Sequence, residues 1–255
     1  MRIDLNCDMG ESFGRYRIGA DEEIMGYVTS ANIACGFHAG DPLVMARTVE
    51  LAVAHGVGIG AHPGYLDLRG FGRRRIEQPP EEIEADLIYQ IGALEAFART
   101  RGTRVSHVKA HGALYNASEV DAKVATAIAR AVRRYNRDLV LVCLATSRTA
   151  IEAAKAEGLR VAREAFADRA YNPDGTLRSR REPGSLITDP AVAAERSVRM
   201  VRDGVIVAHD GTEVAVRADT LCIHGDEPTA PAVARAVRMA LAQAGIEIKG
   251  LADPG

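Results

Sequence analysis

Tryptophan is absent from this chain, and cysteine occurs only as Cys7, Cys35, Cys143 and Cys222. No CxxC pair occurs among the four, and each lies in or at the end of an apolar run. Structural disulfides and a cysteine-type zinc cluster are therefore not expected, and a reducing cytoplasm fits. Charge of one sign is missing too: 32 basic side chains stand against 34 acidic ones. Without a bulk surface field, nucleic acid and anionic membrane are poor partners. No apolar run is long enough to span a bilayer, and Met1-Arg2-Ile3-Asp4 reads as a charged strand start rather than a signal peptide. The GxxxxGK[ST] loop, a GxGxxG after a strand and the GxSxG elbow are all absent, which leaves the common nucleotide sites and a serine triad unsupported.

What is present is a rhythm. Short, β-branched apolar runs at Ile3–Cys7, Ala31–Cys35, Gly56–Ala61, Arg104–Lys109, Leu139–Leu144, Leu159–Ala165 and Thr220–His224 read as seven strands. Helical patterns alternate with them. Asp41-Pro42 opens one reaching about His55, the aspartate placed to cap and the proline suited to the first turn. Pro79-Pro80-Glu81-Glu82 opens a longer one to about Arg101, acids first as the helix dipole prefers. Others are expected over Ser118–Arg134, Thr146–Ala156, Asp189–Arg202 and Thr229–Ala244. This alternation gives repeated βαβ units and a mostly parallel sheet. With 255 residues and no break in composition, residues 1–255 are expected to form one α/β domain, a closed or nearly closed seven-stranded (β/α) barrel. Val205–Val207 and Glu213–Val216 flank His209-Asp210-Gly211, a small β-hairpin excursion before the last strand. Asp168–Ser185 is long, polar and arginine-rich, a functional rim loop or a disordered lid, and the tail after Leu251 is expected to fray.

In a parallel α/β fold the carboxyl ends of the strands point to one rim, where loops build the ligand site. The polar clusters of this chain sit at those ends. Asp4, Asn6 and Asp8 share one strand face, and acids pointing into a barrel are costly unless they serve a metal, a proton or a cation. Asp8 and Glu11 are the functional candidates; the bland alternative pairs Asp4 with a basic neighbour and uses Asp8 to tie down the Gly10–Gly14 loop. His38 lies in a glycine-flanked turn, with Asp41 expected to cap rather than react. His62 ends the third strand, and His107, Lys109 and His111 would project together from the fourth, a grouping hard to explain by packing because lysine is rarely buried. Lysine can hold a carboxylate or an oxyanion, and histidine can shuttle protons; His107 can equally be core, and His55 a helix-dipole partner. The sixth strand delivers Glu164, Asp168 and Arg169, with Glu164 open between acid–base work and pairing with Arg169. The seventh delivers His224 and Asp226, the latter with helix capping as its alternative. Gly70–Arg75 reads either as a grip for phosphate or a partner surface, or as an exposed basic turn. Metal ligation through Asp8, His38 and His62 is conceivable, but their spacing matches no HExxH-like signature, so no tightly bound metal is expected.

The strings Asp4-Leu5-Asn6-Cys7-Asp8-Met9-Gly10-Glu11-Ser12-Phe13-Gly14, Ala31 through Pro42, Gly60-Ala61-His62-Pro63-Gly64-Tyr65 and His107 through Asn116 closely resemble the LamB/YcsF lactam-utilisation family, that of the A subunit of bacterial 5-oxoprolinase. Arg163 through Arg169 and Cys222 through Asp226 extend the resemblance over nearly the whole chain; Ala110 departs from it, standing where proline is expected. The resemblance implies a seven-stranded barrel of the glycoside hydrolase/deacetylase kind and ATP-dependent hydrolysis of 5-oxo-L-proline to L-glutamate. ATP, with magnesium, would be a co-substrate, and the B and C subunits of 5-oxoprolinase would be partners. On that reading Asp8, Glu11, His38, His62, Lys109, His111, Glu164 and His224 are the catalytic candidates, and Asn6, Arg169 and Asp226 bind substrate. Two other classes stay open: a stand-alone metal-dependent amidohydrolase or deacetylase, and a non-catalytic scaffold component.

Overall fold

The computed structural model describes residues 1–251; the tail after Leu251, expected to fray, lies outside the described residues. The strands are β1 (Arg2–Met9), β2 (Ser30–Ala34), β3 (Gly58–His62), β4 (Val105–Val108), β5 (Val140–Leu144), β6 (Arg160–Phe166), β7 (Val205–Val207), β8 (Glu213–Ala215), β9 (Thr220–His224) and β10 (Glu247–Ile248). The helices are α1 (Asp21–Ile24), α2 (Pro42–His55), α3 (Pro80–Thr100), α4 (Gly112–Val120), α5 (Ala122–Tyr135), α6 (Arg148–Ala156), α7 (Pro190–Arg202) and α8 (Ala230–Gln243).

Parallel pairing runs β1-β2-β3-β4-β5-β6-β9 and returns to β1, so seven strands close a barrel. Ile3, Leu5, Cys7 and Met9 on β1 join the main apolar core with Val49, Leu87 and Val237 of the surrounding helices. The alternate residues, Asp4, Asn6 and Asp8, are buried as well, and their partners stack the interior in polar layers. At the floor, Asp4 accepts from Thr29, Ser30 and Thr220. In the middle, Asn32 donates to Asn6, and the ring of His107 donates to Asn32 at 3.0 Å. Gly60 makes room for that ring, since a Cβ there would fall 2.0 Å from His107 Nε2. Burial and the nearby Lys109 push His107 down to about 3, so it is a neutral core histidine.

The seven barrel strands and the β7–β8 hairpin form where expected, and Asp41 caps α2 through Leu43 N and Val44 N. The single helix expected over Ser118–Arg134 is two. Chain direction changes at Asp121, whose carboxylate caps the N-terminus of α5 through Lys123 N and Val124 N. β10, not foreseen, pairs with the outer start of β1. Among the described residues, no helix is long and apolar enough to cross a membrane.

Candidate active site at the strand-end rim

Backbone pairing continues past the end of β4, with Lys109 N donating to Ala61 O and His111 N to Pro63 O. That extension keeps the alternation going, so Lys109 and His111 follow His107 on the inward face. Asp8 from β1 and His62 from β3 meet them there: Asp8 Oδ1 lies 2.9 Å from Lys109 Nζ, and Asp8 Oδ2 lies 3.3 Å from His62 Nε2. Glu11 enters from the loop after β1, with Oε1 3.5 Å from His38 Nε2 and 3.7 Å from His111 Nδ1. The bland reading in which Asp8 ties that loop down is not what forms; Asp21 and Asp41 do so, accepting from Gly10 N and Gly14 N.

Electrostatics sort these groups. Burial alone would raise Asp8, but His62 and Lys109 outweigh it and hold the carboxyl well below its usual range. Burial and the charge of Asp8 push Glu11 up to about 7. Burial, reinforced by neighbouring imidazoles, holds His38 and His111 well below the ordinary histidine value. Burial works against charged Lys109, yet Asp8, Cys222 and Glu164 carry it well above its usual value.

Lys109 Nζ lies 2.9 Å from Asp8 Oδ1, 2.9 Å from Glu164 Oε1, 3.1 Å from Cys222 Sγ and 3.5 Å from Asn6 Oδ1, enough acceptors for all three of its hydrogens. It is thus paired with internal acceptors while also lining the cleft. Glu164 is fully buried, paired with Lys109 and accepting from Tyr115 OH at 2.8 Å; its expected alternative partner, Arg169, instead donates to Arg178 O. Asn6 lies a layer below Asp8, donating to Thr220 and accepting from Asn32, so it supports the site without facing the cleft.

Above this layer opens a cleft of about 650 Å³. Asp8, Glu11, His62, Lys109, His111 and His224 reach it, as do Arg169 and Asp226, whereas Asn6, His38 and Glu164 lie behind its lining. One wall is the Asp168–Ser185 segment, an ordered loop rather than a disordered lid: Tyr171 is fully buried, and Arg196 donates to the carbonyls of Phe166, Ala167 and Arg169. Arg169 keeps its Nε buried without a hydrogen-bond partner, and burial with the nearby Arg180 pulls it down to about 10. Asp226 does not cap α8; it pairs with Arg73 at 2.7 Å and Arg180 at 3.5 Å across the mouth.

Four further residues shape the site: Asp168 and the turn holding Phe71 and Gly72, noted in the sequence without these roles, and Glu119, which carries no sequence signal. Asp168 holds His224 twice, through its backbone N at 2.7 Å and its Nδ1 at 3.0 Å, which leaves Nε2 for the cleft. Phe71, in the stretch read as a phosphate grip or basic turn, has φ +54° and accepts from His111 Nε2 at 2.8 Å. A positive φ at a bulky residue is a strained arrangement of the kind found at functional sites. Its neighbour Gly72 has φ +63°, and a Cβ there would lie 2.7 Å from His38 Cβ. Glu119 also lines the cleft, pushed up to about 8 by burial even though Arg169 opposes the shift.

The LamB/YcsF family model matches residues 3–254. The chain belongs to the LamB/YcsF family. Its relatives within that family include the A subunit of 5-oxoprolinase from Heliobacterium modesticaldum, 57% identical over 249 residues, 98% of each chain. The same subunit from Pyrococcus abyssi is 53% identical over 253 residues, 99% of each. Among solved structures, the lactam utilization protein of Thermus thermophilus superposes with a TM-score of 0.93 at 54% identity, covering 98% of this chain and 100% of that one. With this family member the closed seven-stranded barrel expected from the resemblance is the fold that forms.

Proposed function

We propose that this chain is the A subunit of an ATP-dependent 5-oxoprolinase, opening 5-oxo-L-proline to L-glutamate with ATP cleaved to ADP and phosphate, together with the B and C subunits. The observation that carries the reading is similarity along nearly the full length of both chains to proteins named as the A subunit of 5-oxoprolinase. The rim is chemically suited to it. A five-membered lactam is a stable amide, and phosphorylating its oxygen at the expense of ATP makes the ring carbon electrophilic and provides a leaving group. Water can then attack, given a base within reach; breaking the carbon–nitrogen bond leaves a γ-glutamyl phosphate, and a second water releases phosphate to give glutamate.

Asp8 and Glu11, carboxylates that reach the cleft, are the candidates to take that proton. His224, oriented by Asp168, can give a proton to the departing ring nitrogen. Arg169, a cation that lines the cleft, suits the substrate carboxylate. Lys109 and Glu164 hold Asp8 in register at the floor of the cleft. No nucleotide motif occurs in the chain, in keeping with ATP being handled with the partner subunits, magnesium included.

Product analysis tests this directly. The chain alone, with 5-oxoproline and ATP, should release little or no glutamate, and adding the B and C subunits should give glutamate, ADP and phosphate together. Robust glutamate formation by the isolated chain, or none by the assembled complex, would overturn the proposal.

A further inference from the structure

The histidines at the rim present more lone pairs to one point than protons can serve. His62 Nδ1 lies 2.8 Å from Lys109 O, and His111 Nε2 lies 2.8 Å from Phe71 O. Carbonyl oxygens only accept, so both of these nitrogens must carry hydrogen. In neutral rings that leaves His62 Nε2 and His111 Nδ1 as acceptors, yet they face each other at 3.0 Å. Two acceptors at that distance need something positive between them.

A second proton on His62 Nε2 would serve that pair and Asp8 Oδ2, 3.3 Å away. It would leave Glu11 Oε1 and both ring nitrogens of His38, which are buried without a hydrogen-bond partner. Glu11 Oε1 nevertheless lies 3.5 Å from His38 Nε2 and 3.7 Å from His111 Nδ1. Single donor atoms of Glu11, His38, His62 and His111 all fall within 4.8 Å of one another. Ligands at 2.0–2.1 Å on a tetrahedral ion stand roughly 3.4 Å apart. One cation would give each of the four groups a partner, through one of the two ring nitrogens of His38.

We propose that Glu11, His38, His62 and His111 bind one divalent transition-metal cation of the zinc class. Three imidazoles and a carboxylate form a borderline donor set that suits zinc and its first-row neighbours rather than magnesium or calcium. The outer shell is in place as well, since metal-bound histidines characteristically donate their far N–H to a backbone carbonyl, as His62 and His111 do here. His38 is the ligand that must tilt most. Its ring lies flat on that of His111, centroids 3.7 Å apart, and an ion cannot sit in two parallel ring planes. A neighbouring group, Asp8, Cys222 and His224, also has ligand spacing, but Lys109 Nζ already sits against Asp8 and Cys222 and supplies the positive charge there. This proposal departs from the sequence expectation that no metal is tightly held, and it does not depend on which substrate the cleft accepts; with the cation bound, Glu11 is a ligand and Asp8 is the carboxylate left to take a proton.

The test is metal binding by the purified chain without substrate, ATP or partners. Chelator-stripped protein is titrated with zinc, followed by metal analysis after gel filtration, and separately with cobalt(II), whose visible spectrum reports nitrogen and oxygen ligation. About one ion per chain is expected. Glu11→Gln, nearly the same shape, should weaken binding at least about tenfold, as should His111→Asn. Cys222→Ser, in the neighbouring group, should bind like the parent, and circular dichroism establishes that each variant is folded. Absence of stoichiometric binding by the folded parent would overturn the proposal and leave a shared proton between His62 and His111. Binding that survives both rim variants, or is lost in Cys222→Ser alone, would overturn it equally.

Discussion

At the floor of the barrel Asp4 lies among three hydroxyls, whereas four residues further along the same strand Asp8 lies against a lysine and an imidazole. Both carboxylates are buried. Burial pushes Asp4 up to about 6 in spite of its hydroxyl donors, while at Asp8 the charges of His62 and Lys109 overcome burial and drive the carboxyl down. Neutral donors thus relieve a buried acid only in part, whereas a nearby cation reverses the sign of its shift. The floor is self-contained, every Asp4 oxygen meeting a hydroxyl. The rim is not: Glu11 and His38 keep buried atoms without partners, and the cleft opens directly above. Unsatisfied polar groups cost stability unless something else uses them, which is why chemistry is assigned to one end of the barrel and packing to the other.

The largest effect that would break this contrast is on turnover. Asp8→Asn keeps the shape of the side chain and leaves Lys109 paired with Glu164, so the fold should persist. Removing the carboxylate charge from its contact with His62 in the cleft should cut turnover of the assembled complex by roughly two to four orders of magnitude. Steady-state glutamate release alongside a melting curve measures both halves of this statement. Near-normal turnover would mean that the rim is as structural as the floor and that the chemistry lies on a partner protein.

Next comes Lys109→Met. From residue type alone a cation at the rim suggests a clamp for the substrate carboxylate, but its surroundings make it the counter-ion of Asp8 and Glu164. Its removal strands two buried carboxylates, and breaking buried pairs in this way costs about 3–5 kcal/mol. Urea unfolding should show the loss as a lower midpoint at unchanged slope. Unchanged stability with a raised KM would return Lys109 to the role of substrate clamp.

How far these roles are legible in the sequence follows from the distance over which each is decided. Strand period places Asp4, Asn6 and Asp8 on one face, and His107, Lys109 and His111 on another, because alternation is local. Partners are not local. His224 finds Asp168 across 56 residues, Tyr115 finds Glu164 across 49, and His111 leans on the carbonyl of Phe71 at a positive-φ turn. The helix break at Asp121 escapes periodicity because the apolar spacing runs on from α4 into α5; the cue is an aspartate free to cap a new first turn. β10 spans two residues, too few to show any period. The grouping of Glu11 with His38, His62 and His111 draws on four separate loops and strand ends, so no spacing in the chain announces it.

The smallest effect belongs to the floor, and its sign is set by linkage. Asp4 titrates near 3.8 in an open chain and near 6 when folded, so between those values the folded state holds the proton more tightly. Stability from this group is therefore greatest below about pH 4, falls as the pH rises toward 6, and is level above that. The shift of about two units corresponds to about 3 kcal/mol at most. Other buried acids, Glu11 and Glu119 among them, are also raised and tilt the whole protein the same way, so the informative quantity is a difference. Asp4→Asn cannot ionise, and its stability relative to the parent, from urea unfolding between pH 4 and 7, should improve by up to about 3 kcal/mol across that window. Loss of the carboxylate's hydroxyl contacts lowers the variant by a constant amount and leaves the slope untouched. A difference that does not change with pH would mean that Thr29, Ser30 and Thr220 fully compensate the buried charge, and the two ends of the barrel would then differ in their partners but not in how they treat an acid.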